Sequence, residues 1–199
     1  MTMLTAERDP ATWQQWRAAA RQPAVDVELR ALYAELDAAV AARGPTCWIS
    51  GRCCKFAEFG HRLFVTGLEI AWFLHHAPAT PATTPATPNS SDAQNPKSEI
   101  PPAPLPILGD NIEACPYQIG GLCSTHTTRP MGCRIFFCQH GTEQWQQELY
   151  EQYLARLRDL HDTHALPYRY MDWLHGLHAA AAASDPVGRP CQCHPPPDR

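Results

Sequence analysis

The chain has 199 residues, 20 prolines, nine cysteines and a formal net charge of −4 with histidine neutral. A length near 200 suits one domain with a core of its own. The lack of basic excess excludes a general nucleic-acid binder, and no apolar stretch approaches the roughly 20 residues that span a bilayer.

In chain order, a first helix is predicted over Ala11 to Arg21. A second is predicted over Val25 to Arg43, where Val25, Leu29, Leu32, Tyr33, Leu36 and Val40 fall on one face. Gly44-Pro45 ends it, and Cys47 to Cys54 reads as a loop. Arg62 to Val65 suits a short strand. Thr66-Gly-Leu-Glu69 is a capping box that starts a helix running to about His76. Further on, short strands are predicted at Tyr117 to Ile119 and Ile135 to Phe137, around Gly120-Gly121 and Arg129-Pro130. A long helix is predicted over Thr142 to His164, with Trp145, Leu149, Tyr153 or Leu154, Leu157 and Leu160 on its apolar stripe. Pro167 breaks it, and a last helix is predicted over Tyr168 to Ala183. Trp13, Trp16, Trp145 and Trp173 are expected in the core.

Nine of the prolines fall within Ala77 to Pro106, among Ala, Thr, Ser and Asn. Such a segment buries too little apolar surface to offset its ordering entropy, so 77–106 reads as a flexible loop inside one domain of residues 1–184. Cysteines of similar character on both sides of it favour one domain over two. Residues 185–199 read as a disordered tail rich in Cys and Pro.

The N-terminus has no apolar leader segment, so a cytoplasmic location without membrane association is expected. Thiols stay reduced there, and the cysteines read as metal ligands or redox groups before disulfides. Seven of them form two clusters, Cys47-x5-Cys53-Cys54 and Cys115-Pro-x6-Cys123-x9-Cys133-x4-Cys138. Thiolates are soft ligands that suit zinc and iron–sulfur centres. No Cys-x2-Cys knuckle exists, so an ordinary zinc ribbon is not expected. Seven thiols exceed the four that one zinc needs, so some serve a second role or there is more than one metal. The adjacent Cys53 and Cys54 can serve one compact centre only if their loop bends. Arg52, Arg129 and Arg134 lie beside the cysteines, where they would offset the charge of about −2 on a four-thiolate zinc.

Cys47-Trp-Ile-Ser-Gly-Arg-Cys53-Cys54, then Cys115-Pro116, Cys123, Arg129-Pro130 and Cys133-Arg134, resembles the YkgJ-type zinc- or iron-chelating cysteine-cluster family. That family is described by a Cys-x2-Cys-x2-Cys-Cys signature, and here Ser50 stands at its second position. The resemblance covers about Cys47 to Cys138 apart from the proline-rich segment, and it implies metal binding. Some relatives are similar to flagellin lysine methylases, but this chain has no Gly-rich S-adenosylmethionine loop.

Other groups are weaker. His61, His126 and His140 lie near the clusters, and His161/His164 and His175/His178 pair at i, i+3. Cys191-x-Cys193-His194 in the tail suits metal capture or delivery. Phe56, Phe59, Phe64, Phe136 and Phe137 are expected around the cysteine loops. No P-loop, nucleophile elbow or paired carboxylates stand out.

These readings combine into a mainly α chain with short β-strands: a small, irregular, cysteine-rich metal-binding domain packed by amphipathic helices. The expected function is to hold zinc, iron or an iron–sulfur cluster through Cys47, Cys53, Cys54, Cys115, Cys123, Cys133 and Cys138, with Arg129 and Arg134 beside it. The alternatives are a redox or catalytic iron–sulfur protein, and a metal storage or delivery module.

Overall fold

Each early helix begins and ends where local chemistry dictates. The computed structural model describes residues 9–47, 50–77 and 114–183. Helix α1 (Pro10–Ala20) starts on Asp9, whose carboxylate accepts from the amides of Ala11 and Thr12 at 3.2 Å. Helix α2 (Pro23–Arg43) buries Val25, Leu29, Leu32, Tyr33, Leu36 and Val40, the predicted stripe. It ends on Gly44 at φ 62°, a left-handed position that only glycine adopts freely. A single 3-10 turn (Arg52–Cys54) and a one-turn helix α3 (Phe56–Phe59) follow. Strand β1 (Phe64–Thr66) then leads into α4 (Gly67–His76) through the predicted capping box.

The second half departs from the sequence reading twice. Strands β2 (Gln118–Ile119) and β3 (Leu122–Cys123) form an antiparallel hairpin. Gly120 and Gly121 turn it with φ of 58° and 82°, the signature of a type I′ turn. The segment expected to be a strand at Ile135 to Phe137 instead closes helix α5 (Met131–Ile135). That helix has a partner remote in sequence: the Glu69 carboxylate accepts from the Met131 amide at 2.9 Å. Helix α6 (Glu143–Thr163) buries Leu149, Tyr153, Leu157 and Leu160. The predicted last helix begins as a strand, β4 (Tyr170–Asp172), before α7 (Trp173–Ala182). β4 pairs antiparallel with β1, with Val65 opposite Met171, and Asp172 then caps α7 by accepting from the His175 amide at 3.1 Å.

Elements from both sides of 78–113 share one core. Helix α4 is buried along most of its length and carries Leu68, Ile70, Trp72 and Phe73. Phe73 meets Trp173 and Tyr117 edge-on, at 4.9 and 4.6 Å between ring centres. Each such ring contributes about 1.5–3 kcal/mol through burial. Trp13, Trp16 and Trp173 lie in this core, and Trp145 packs half-buried at its edge. Helix α1 lies so close to α4 that a Cβ on Gly67 would stand 2.4 Å from the Trp16 ring. Among the described residues no helix is long and apolar enough to cross a membrane. Most of the predicted flexible loop and the whole tail, with Cys191 and Cys193, lie outside the described residues.

Candidate metal centre

The two cysteine clusters are joined by backbone contacts across the chain. The Cys115 amide donates to the Cys54 carbonyl at 2.7 Å. The Gln118 side chain donates to the Gly51 carbonyl at 2.9 Å and to the Gly121 carbonyl at 3.2 Å. Gly51 sits at φ 67°, and a Cβ there would stand 2.4 Å from Gln118 and 2.5 Å from the Gly121 oxygen. Glycine at 51 therefore serves twice, for the left-handed turn and for the close approach of the β2–β3 hairpin. The turn bends the chain enough that the Cys53 and Cys54 sulfurs lie 3.9 Å apart. Two thiolates on one tetrahedral zinc, each at about 2.3 Å, are separated by about 3.8 Å.

Cys54 is the hub of the thiol group. It is buried, and the neighbouring Cys115, Cys123 and Cys53 thiols together with burial push its pKa far up. The same contacts push those three thiols down. The neighbouring Cys54 brings Cys53 down to about 7 and Cys123 to about 5. Cys123 is helped by the Thr125 hydroxyl 3.6 Å away. Cys115 is lowered by Cys54 first and by the Trp173 indole as well. Cys133 responds to the same group in the opposite direction. Burial raises it, and the nearby charges of Cys115 and Cys53 raise it further. Five thiols from the 3-10 turn, the β2–β3 hairpin with its approach, and α5 thus act on one another.

Two buried donors around this group lack ordinary acceptors. Arg129 Nε has no hydrogen-bond partner among the described residues, and the Trp173 indole N–H has no oxygen or nitrogen acceptor and lies toward the Cys115 sulfur. The Trp173 indole favours ionised Cys115, and the Arg129 charge favours ionised Cys53 and Cys133. Buried donors without partners are costly, and thiolate sulfur is an acceptor that both donors can serve. The donor set therefore suits a soft cation such as zinc or iron. The side chains are not drawn up as a finished cage: among the described residues no group of three or more His, Cys, Asp or Glu has metal-holding geometry.

The other predicted site residues fall elsewhere. Cys47 is exposed and Cys138 half-buried, and neither is hydrogen-bonded to another described residue. The Arg134 guanidinium is buried and its described partners are not sulfurs. It donates to Asp37, to the Thr127 carbonyl at 2.8 Å and to the Arg129 carbonyl at 2.9 Å, and it lies 4.3 Å over the Tyr33 ring. Its contacts support the 127–134 segment from behind. Arg52 stacks on Phe59. His61 approaches the Cys53 carbonyl at 3.4 Å, and His126 lies where its charge favours ionised Cys123. Ser50 is exposed, and its hydroxyl accepts from the Arg52 amide at 3.4 Å. No family model matches the chain, and no curated protein or solved structure matches it either.

Sequence reasoning missed Glu69 as a support of the site. Its capping-box role was legible, but only one of its oxygens serves it, accepting from the Thr66 amide at 2.8 Å. The other accepts from Tyr33 at 3.1 Å and from the Met131 amide at 2.9 Å, and so anchors the helix that carries Cys133. Burial raises the pKa of this carboxyl against those three bonds. A Glu ahead of the apolar run Ile70 to Leu74 was the available signal.

Proposed function

We propose that this chain is a metal-binding protein that holds zinc or an iron–sulfur cluster through Cys53, Cys54, Cys115, Cys123 and Cys133. The observation that carries the proposal is the meeting of the two cysteine loops: the Cys115 amide donates to the Cys54 carbonyl at 2.7 Å, Gln118 clasps Gly51, and the Cys53 and Cys54 sulfurs lie 3.9 Å apart. The resemblance of the cysteine spacing to the YkgJ-type family supports the same reading. Metal binding would contribute folding free energy by tying three irregular segments together. Cys47 and Cys138 have no described contact with these five, so the proposal leaves them out of the ligand set. A fifth thiol beyond the four that one ion needs supports the redox reading as second choice, since it leaves one sulfur exchangeable.

The test is elemental analysis with visible spectroscopy on protein purified without oxygen. Zinc or iron at one or more atoms per chain is expected. Replacing Cys54 or Cys123 with serine should remove it, and Cys47→Ser or Cys138→Ser should not. Thiolate-to-iron absorption that bleaches on reduction would select the redox reading. Metal-free protein that keeps its full stability and takes up neither zinc nor iron would overturn both.

A further inference from the structure

A cavity of about 450 Å³ opens beside the thiols, with Cys53 and Cys133 in its lining. Its size falls within the roughly 300–1,000 Å³ of small-molecule sites. One wall is the segment from His61 to Phe64, and the facing wall is the N-terminal half of α6. Two ring pairs frame it. His61 stacks on Phe136 at 5.2 Å and 13°, and Phe64 stacks on Tyr170 at 5.6 Å and 23°. Phe64 and Phe136 are 39% and 40% exposed, so their rings face solvent instead of the core.

The polar lining divides into groups with partners and groups without. The Gln146 amide holds both backbone groups of Phe137, at 3.2 and 3.1 Å, and Gln147 donates to Glu151 at 2.7 Å. Arg62 and Glu143 also line the cavity, one on each wall. Neither side chain forms a hydrogen bond or ion pair with any described residue, and they do not pair with each other. Both are exposed and solvated, so they offer the cavity mouth one cation and one anion, which a zwitterionic ligand complements with both of its charges.

We infer that this cavity binds a free aromatic α-amino acid, its ring between the stacked pairs, its carboxylate on Arg62 and its ammonium on Glu143. Arg suits the carboxylate because its planar fork matches two oxygens. Ring-on-ring contact favours an aromatic side chain over an aliphatic one of equal size. This inference is independent of metal binding, because the amino acid is recognised by groups other than the sulfurs.

Titration calorimetry on the full chain as purified tests it, with metal content measured on the same sample. The probe is L-phenylalanine. Its comparators each lack one feature: 3-phenylpropionate the ammonium, phenethylamine the carboxylate, L-cyclohexylalanine the aromatic ring. L-Phenylalanine should bind tightest, with losses of about tenfold for either charge and about threefold for the ring. Arg62→Gln should abolish its advantage over phenethylamine, and Glu143→Gln its advantage over 3-phenylpropionate. Both residues are exposed, so both variants should melt like the parent. No heat of binding at millimolar L-phenylalanine would overturn the inference. So would a singly charged analogue binding as tightly, or preferences unchanged in the two variants. A metal-loaded sample that fails to bind refutes this inference alone, and a sample that binds L-phenylalanine but takes up neither zinc nor iron refutes the metal reading alone.

Discussion

Replacing Glu69 with glutamine keeps the side-chain shape and removes one acceptor. One Glu69 oxygen accepts from the Met131 amide at 2.9 Å and from the Tyr33 hydroxyl at 3.1 Å, and the other from the Thr66 amide at 2.8 Å. If the amide oxygen of glutamine keeps the first pair, its NH2 group faces the Thr66 N–H, donor against donor. Thr66 is fully buried, so water cannot relieve the conflict. An orphaned buried N–H costs about 1–3 kcal/mol, and turning two charge-assisted bonds into neutral ones costs about 1 kcal/mol more. Relief of the desolvation that raises the Glu69 pKa offsets part of this. The net loss should be about 2–3 kcal/mol, or about 4–12 °C in Tm for a chain of this size. Urea unfolding followed by circular dichroism measures it, with an unchanged m-value expected. A loss under about 0.5 kcal/mol would refute the idea that one carboxylate joins α2, α4 and α5.

His161 should make stability fall with acid. It is fully buried, its Nδ1 donates to the Pro167 carbonyl at 3.1 Å, and its Nε2 has no partner among the described residues. Burial lowers its pKa below the ordinary 6.5, so the unfolded chain binds the proton more readily. The stability this gives is present above pH 6.5 and is lost as pH falls from there through the folded-state pKa. His161→Gln should flatten that part of the stability profile, and parallel profiles would count against the account. Gly67→Ala should cost about 1–3 kcal/mol by pushing α4 off Trp16, and a thermal melt that does not move would mean the two helices pack differently. Arg134→Lys keeps the charge but not the fork that reaches Asp37 and two carbonyls, so a loss of about 1–3 kcal/mol is expected in chemical unfolding. Full stability in that variant would show that the bonds behind the cysteine loop carry little.

The helices α1, α2, α4 and α6 were legible because their signals are local: apolar spacing, an Asp or Thr cap, and glycine at the end of α2. The cysteine clusters were legible as composition and spacing. Two segments were misread for one shared reason. Ile135 to Phe137 has strand-forming residues, yet the Glu69 carboxylate and Pro130 start a helix just before it. Tyr170 to Asp172 fits a helix pattern, yet β1 offers it backbone partners. In both, the deciding partner lies far away in sequence, and propensity is too weak to resist it.

The same division runs through the candidate site. The sequence by itself determined which residue types are available: soft thiols in loops, and cations beside them. Only the tertiary structure decided which of them meet. It joined the loop of Cys53 and Cys54 to that of Cys115 and Cys123, and it paired Arg134 with Asp37. Spacing along a chain limits how loops can bend. Convergence of side chains depends on the contacts that pull the loops together, here the Cys115–Cys54 backbone bond, the Gln118 clasp on Gly51 and the Glu69 anchor on α5.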